Sequence, residues 1–242
     1  MIYVTADIHG KFDQLQKLLK AACFSDEDWL FIIGDVIDRN FDGGVAILKW
    51  LLLQPNVQLI LGNHEKFLLL NRWLFQEIND ESVEDLDADN LALLSAWRMN
   101  GGGVTIEALS LQDEETRQSI LAYLDDCPLY ETVEVRERTF LLVHGGLGGF
   151  RKDRSLEDYT PQELLWERPS FDVVYAPEDY TVIVGHTPTA FYGEQYKNRI
   201  LKAKSFWDID TGASAADGSP MLLCLDTLKE YYIEADGSVI ER

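Results

Sequence analysis

Three short apolar runs near the start of the chain constrain its fold more than any other feature, because each closes on glycine together with aspartate, asparagine or histidine. Residues 2–6 are short, apolar and partly β-branched, and they read as a strand. Residues 29–33 and 57–61 read the same way. Between the runs, Phe12, Leu15, Leu18, Leu19 and Ala22 recur at helical spacing, as do Val45, Leu48, Leu51 and Leu52. A third such pattern, Phe67, Leu68, Asn71, Leu74 and Phe75, follows the third run. Strand and helix alternating in this way predict a parallel sheet with helices packed on it.

The style changes further on. Residues 77–127 look mainly helical, and strands are expected at 129–135, 139–144, 181–184, 205–209, 221–226 and 230–234. Turns containing glycine, aspartate or asparagine separate several of them. The expectation is an α/β fold of two packed mixed β-sheets flanked by helices, with these later strands forming the second sheet, partly antiparallel. No composition break divides the chain, so residues 1–242 read as one domain with a helical insert at roughly 77–127.

The chain has 242 residues, 46% of them hydrophobic, which is enough for a sizeable core. No run approaches 18 uninterrupted apolar residues, so no membrane span is expected. The start, Met1-Ile2-Tyr3-Val4, lacks the basic opening of a signal peptide, and a cytoplasmic protein is expected. Cys23, Cys127 and Cys224 lie far apart, form no CxxC pair, and read as reduced core or near-core thiols. The net charge of −21 disfavours nucleic acid as a partner, since its backbone would be repelled. An acidic stretch, Asp80, Glu81, Glu84, Asp85, Asp87 and Asp89, reads as a solvated loop or helix face.

In open α/β sheets, sites form at the carboxyl ends of the strands. There this chain carries Asp7-Ile8-His9-Gly10, then Gly34-Asp35-Val36-Ile37-Asp38-Arg39, then Gly62-Asn63-His64-Glu65. Two later runs end at His144-Gly145-Gly146 and Gly185-His186. All four histidines of the chain, His9, His64, His144 and His186, therefore stand in strand-end loops. Carboxylates and neutral imidazoles suit Mn, Fe, Zn and similar cations. Asp7 and His9 are two apart, which in an extended segment puts both side chains on one side. No cysteine sits in these loops, so mixed oxygen and nitrogen donors favour a catalytic site over a structural zinc.

In order and spacing these loops resemble the signature of the calcineurin-like metallophosphoesterase superfamily, and within it the bacterial and phage branch of the phosphoprotein phosphatases. Trp97-Arg98-Met99-Asn100-Gly101-Gly102 and Leu164-Leu165-Trp166-Glu167-Arg168 are similar to segments of that branch. The resemblance implies two divalent metal ions, Mn first, with Fe or Zn also accepted by such ligands. It implies that Asp7 and His9 hold the first ion, Asp35 bridges both, and Asn63, His144 and His186 hold the second. It implies a metal-bridging hydroxide as nucleophile, His64 as general acid oriented by Asp38, and Arg39 and Arg168 as phosphate ligands. The substrate it implies is a phosphorylated serine or threonine of a protein, or a small phosphoester, met by a monomer. The alternative is a nucleotide phosphoesterase such as a symmetrical diadenosine tetraphosphate hydrolase. That related family tends to carry Asn where this chain has Asp38 and Asp where it has Glu65, so both positions favour the phosphatase. A non-catalytic scaffold would have lost a ligand or the acid, and none is lost.

The chain departs from the pattern at Asn40-Phe41, where Gly-Pro is usual. Asn tolerates positive φ, so Asn40 is expected to keep the loop shape. Glu65 could support the site or merely start a helix. Asp210-Thr211-Gly212 reads as a tight turn near the site, and the Trp and Tyr residues as packing, without a stacking platform.

Overall fold

The structure is a computed structural model that describes residues 1–75, 87–175 and 180–242. The first three apolar runs form β1 (Ile2–Thr5), β2 (Trp29–Ile33) and β3 (Val57–Ile60), paired in parallel. The helical patterns become α1 (Phe12–Ala21), α2 (Val45–Leu51) and α3 (Asn63–Leu70). Helix α1 closes with Cys23 N–H on Lys20 O and Phe24 N–H on Leu19 O, which puts Cys23 in the left-handed region at φ 55°. That position holds Cys23 exposed, unlike the core or near-core placement expected for it. Cys224 is buried and Cys127 half-buried.

Helices α4 (Ala88–Trp97), α5 (Gly103–Ser110) and α6 (Glu114–Asp125) fill the middle of the chain. Of the acidic stretch, Asp80, Glu81, Glu84 and Asp85 lie outside the described residues. Asp87 caps α4 by accepting from Asn90 N–H, and Asp89 lies in its first turn, where negative charge suits the helix dipole.

The second sheet contains β4 (Tyr130–Val135), β5 (Arg138–Val143), β6 (Tyr180–Val184), β7 (Leu201–Lys202) and β8 (Phe206–Asp208), ordered β4-β5-β6-β8-β7. The last strands, β9 (Leu222–Cys224), β10 (Glu230–Ile233) and β11 (Val239–Glu241), belong instead to the first sheet, ordered β11-β10-β9-β1-β2-β3. This corrects the expectation that residues 221–226 and 230–234 build the second sheet. The edge of β1 opposite β2 is open to a partner, and β9, buried at all three residues, pairs there antiparallel with Val4 opposite Leu223. Strands β7 and β11, of two and three residues, are too short to show a period in sequence.

Alternation along the strands stacks the layers. Val4, Phe31, Ile33 and Ile60 face Phe140, Leu142 and Ile183 of the second sheet. Their neighbours Tyr3, Leu30, Ile32 and Leu59 turn to the helices, meeting Leu15, Leu18, Leu48 and Ile120. On the far side Leu141, Val143, Val182 and Val184 pack with Leu164 of the short helix α7 (Pro161–Leu165) and with Tyr175. The fold is α/β, with two mixed sheets face to face and helices outside. Among the described residues no helix is long and apolar enough to cross a membrane. Phe140 is 0% exposed between the sheets. Phe140→Ala is therefore expected to cost about 3–5 kcal/mol in urea unfolding at unchanged m-value. A cost below about 1 kcal/mol would contradict this packing.

Candidate active site

The loop after β1 is laced to the loop after β2. Asp7 N–H donates to Gly34 O at 3.1 Å, His9 N–H to Asp35 O at 3.0 Å and Gly10 N–H to Val36 O at 2.9 Å. The loops after β5 and β6 join through Gly185 N–H and His144 O at 2.9 Å. Left-handed backbone is uncommon for residues with a side chain, yet Asp7 (φ 49°), His9 (46°), Asp35 (54°), Asp38 (73°), Arg39 (71°) and His186 (68°) all adopt it. Asp7 and His9 are thus not in the extended conformation that their spacing suggested. Sharp turns, not strand alternation, bring them to the site.

Two of the imidazoles have a defined Nδ1 proton. His9 Nδ1 lies 2.8 Å from Ile37 O and His144 Nδ1 lies 2.9 Å from Ile33 O. A carbonyl only accepts, so Nδ1 donates in both. In His9, which burial keeps neutral, Nε2 is left with a lone pair. Burial lowers the His144 imidazolium, but Asp35 overcomes it and its pKa is raised. His144 Nε2 sits 3.3 Å from Asp35 Oδ1 and 2.9 Å from Asn63 Oδ1, and His9 Nε2 sits 3.8 Å from Asp35 Oδ2. Among the described residues, His186 Nε2 is buried without a hydrogen-bond partner. Donor atoms of His9, Asp35 and His64 lie within 4.8 Å of one another, as do those of Asp35, His144 and His186, so Asp35 is common to both groups. Asp7 accepts from His186 N–H at 3.1 and 3.0 Å. Gly185 has to be glycine here, because a Cβ would overlap the Asp7 carboxylate.

Electrostatics point the same way. Burial lowers His9 and His186 to about 3, which keeps both rings neutral and able to coordinate. Burial, then Asp210 and Asp35, push the Asp7 carboxyl well above its usual range. Burial also opposes ionisation of Asp35, but His144 and His64 outweigh it and hold that carboxyl well below its usual range. Buried carboxylates crowded beside an unpartnered Nε2, with no thiolate, fit divalent cations bound through oxygen and nitrogen.

His64 and Asp38 stand to one side. His64 Nδ1 is 2.5 Å from Asp38 Oδ2. Burial lowers the His64 imidazolium, but the charges of Asp35 and Asp38 overcome it and its pKa is raised. Arg39 Nη2 approaches His64 Nε2 at 3.4 Å, and Arg168 Nη1 donates to Thr187 Oγ1 at 3.0 Å. These groups open on one cavity of about 600 Å³, lined by Asp7, His9, Asp35, Arg39, Asn63, His64, Arg168 and His186. Asp38 and His144 lie just behind that wall, fully buried.

Several residues act in ways their sequence did not reveal. Glu65 is buried, and its carboxylate accepts from Asp35 N–H (2.8 Å), Val36 N–H (2.9 Å), Ile37 N–H (3.3 Å) and Gly62 N–H (3.0 Å), tying the second strand-end loop to the third. Burial and Asp35 push its carboxyl up to about 7, yet four donors facing both oxygens are the geometry of the ionised form. Asn40 does not take the left-handed conformation expected of it, which falls to Asp38, Arg39 and Phe41. Its side chain instead donates to His9 O (2.9 Å) and Ala213 O (3.2 Å), bracing the first loop against the 211–219 loop. Asp210 lines the cavity, and its Oδ1 accepts from Gly212 N–H at 2.9 Å in the expected turn. Phe67, Trp166, Pro188 and Phe191 form an aromatic and apolar wall, which the sequence did not suggest.

The sequence matches the calcineurin-like phosphoesterase family over residues 1–210. The chain is a calcineurin-like phosphoesterase. A symmetrical bis(5'-nucleosyl)-tetraphosphatase from Buchnera aphidicola subsp. Schizaphis graminum is 31% identical to this phosphoesterase over 152 residues, 61% of this chain and 52% of that protein. A protein of the same name from Chromobacterium violaceum is 29% identical over 174 residues, 68% of this chain and 61% of that protein. This phosphoesterase therefore spans about half to three-fifths of the length of these relatives. A structure solved as that of a candidate diadenosine tetraphosphatase has a TM-score of 0.58 at 19% identity, covering 100% of this chain and 92% of that one. A serine/threonine phosphatase from Saccharomyces cerevisiae has a TM-score of 0.55 at 15% identity, covering 100% and 78%. At such identities the likeness is one of fold. The phosphoesterase family is thus established, and the narrower phosphoprotein phosphatase type is not.

Proposed function

We propose that this phosphoesterase hydrolyses phosphoester or phosphoanhydride bonds of nucleotides, with dinucleoside polyphosphates as the substrate class. One observation carries the reading: the cavity places Phe67, Trp166 and the 79% exposed Phe191 around the same space as Arg39 and Arg168. Aromatic faces stack on bases, at about 1–3 kcal/mol per base, while planar guanidinium groups suit phosphate oxygens. The volume exceeds what one phosphate needs and falls in the usual range for small-molecule sites. The names of the two curated relatives support the same class.

On this reading Asp7, His9, Asp35, Asn63, His144 and His186 would hold two divalent cations. When bound, the cations supply Lewis acidity to phosphoryl oxygens and make water more acidic. Arg39 and Arg168 bind phosphate oxygens and offset their charge in a protein of net charge −21. His64, held by Asp38, delivers its Nε2 proton to the leaving oxygen as the phosphorus–oxygen bond breaks and water's oxygen takes its place.

The pairing of His64 with Asp38 favours a second reading. A nucleoside diphosphate leaves readily, whereas a serine or threonine alkoxide needs a proton, so a well-built acid suits phosphomonoesters of alcohols, phosphoproteins included. The two readings separate in one assay with added Mn²⁺, comparing a dinucleoside tetraphosphate with phosphoserine and phosphothreonine peptides. Symmetrical cleavage to two nucleoside diphosphates at the higher kcat/KM is expected, and a preference for the peptides would assign the second reading. Absence of any EDTA-sensitive turnover, including that of p-nitrophenyl phosphate, would remove both.

A further inference from the structure

The segment Trp97-Arg98-Met99-Asn100-Gly101-Gly102 has no part in the reaction described above, yet it reaches the centre of the site. Trp97, the last residue of α4, is 0% exposed, and its Nε1–H donates to Asp38 Oδ2 at 2.8 Å. That oxygen is the one facing His64 Nδ1. Thr105, on α5 and also 0% exposed, holds the other oxygen, with Oγ1 lying 2.5 Å from Asp38 Oδ1 and 3.0 Å from Gly43 O. A hydroxyl has one proton, and the nearer, charged acceptor takes it. The same Oγ1 accepts from Asp38 N–H at 3.1 Å.

The turn between the two helices fits this task. Gly102 lies so close to the Trp97 indole that a Cβ there would overlap it. Gly101 O accepts from Arg39 N–H at 3.1 Å, so the turn also braces the residue after Asp38. Asp38 and Arg39 both have left-handed backbone, and a short loop of that kind needs outside partners to hold one shape.

We propose that Trp97 and Thr105 are positioning residues that lock the Asp38 carboxylate and thereby aim His64 Nε2 at the leaving oxygen. The proposal rests on the reading of His64 as general acid. With both oxygens of Asp38 occupied, the carboxylate cannot turn, and His64 Nδ1 has a single fixed acceptor. Without either donor, Asp38 rotates and the imidazole loses its aim. The loss falls on proton delivery and not on phosphate binding.

Leaving-group dependence tests this on the full chain loaded with Mn²⁺. Phenyl phosphate has a leaving group that needs a proton, and p-nitrophenyl phosphate has one that scarcely does. Thr105→Val and Trp97→Phe are each expected to lower kcat for phenyl phosphate about tenfold or more, part of the ~10²–10⁴-fold that a positioned acid supplies. For p-nitrophenyl phosphate the loss is expected to stay within about threefold, with KM unchanged for both. Thr105→Ser, which keeps the hydroxyl, is expected to recover phenyl phosphate turnover relative to Thr105→Val. In the metal-free chain, the downfield proton resonance of the His64–Asp38 hydrogen bond should shift in both variants, a signature that needs no turnover.

Equal losses on the two substrates, or no recovery with serine, would overturn the positioning role. If Trp97→Phe does not fold, the Thr105 pair decides alone. His64→Asn, run alongside, separates the layers of inference. Where His64→Asn discriminates between the substrates and the Thr105 and Trp97 variants do not, this proposal fails and the acid stands. Where His64→Asn itself does not discriminate, the acid reading fails.

Discussion

Replacing His64 by Asn lowers kcat for phenyl phosphate, whose leaving group needs a proton, by about 10²–10⁴-fold and leaves the metal content of the protein unchanged. The expectation follows from how the ring is committed. Its Nδ1 is spent on Asp38 at 2.5 Å, and the charges of Asp35 and Asp38 raise its pKa despite burial. A protonated imidazole donates and does not coordinate. His9 contrasts with it, because it spends Nδ1 on a neutral backbone carbonyl and burial lowers its pKa to about 3, which leaves Nε2 a lone pair. The rival assignment is concrete, since His64 Nε2 is 3.7 Å from Asp35 Oδ2 and the ring belongs to one of the groups able to hold an ion. Elemental analysis of dialysed protein, set beside steady-state kinetics, decides between them. Lost activity with retained metal supports the acid, and loss of an ion with the activity would make His64 a ligand.

Glu65→Gln is expected to weaken both the fold and the site without touching substrate. Oε1 accepts from Val36 and Ile37, and Oε2 from Asp35 and Gly62. Glutamine keeps one oxygen and places an NH₂ against the other two donors. Each buried N–H left without an acceptor costs about 1–3 kcal/mol. Because the same donors frame Asp35 and the turn before Asn63, metal affinity is expected to fall by about 10–100-fold, as for other residues that orient ligands. Urea unfolding and Mn²⁺ titration of the variant measure the two effects separately. A variant with unchanged midpoint and affinity would show that the glutamate merely starts α3.

Much of this was legible along the chain. The runs at 2–6, 29–33 and 57–61 became strands within about a residue, since a buried parallel strand announces itself through a short, mostly apolar run. Nine of the ten candidate site residues drew attention because they stand in the polar loops where such strands end, whereas Arg168, beyond α7, came only from the resemblance of its segment. What was not legible involves partners distant in sequence. Trp97 and Thr105 lie 59 and 67 residues from Asp38, and no periodicity in α4 or α5 reports that their polar atoms face a carboxylate. Asn40 looked like a glycine substitute, but its amide bridges to Ala213, 173 residues away.

Residue types and their local spacing, then, determined the strand–helix alternation, the donor chemistry and the positions of the donors at strand ends. Those are local properties, set by side-chain period and by the turns that glycine permits. Only the tertiary structure decided which sheet β9, β10 and β11 join, which backbone turns left-handed to aim Asp7, His9, Asp35 and His186, and which distant side chains brace Asp38 and Glu65. The physical reason is that a buried carboxylate must find all its donors at once. That requirement is met in space, by groups whose separation along the chain carries no signal.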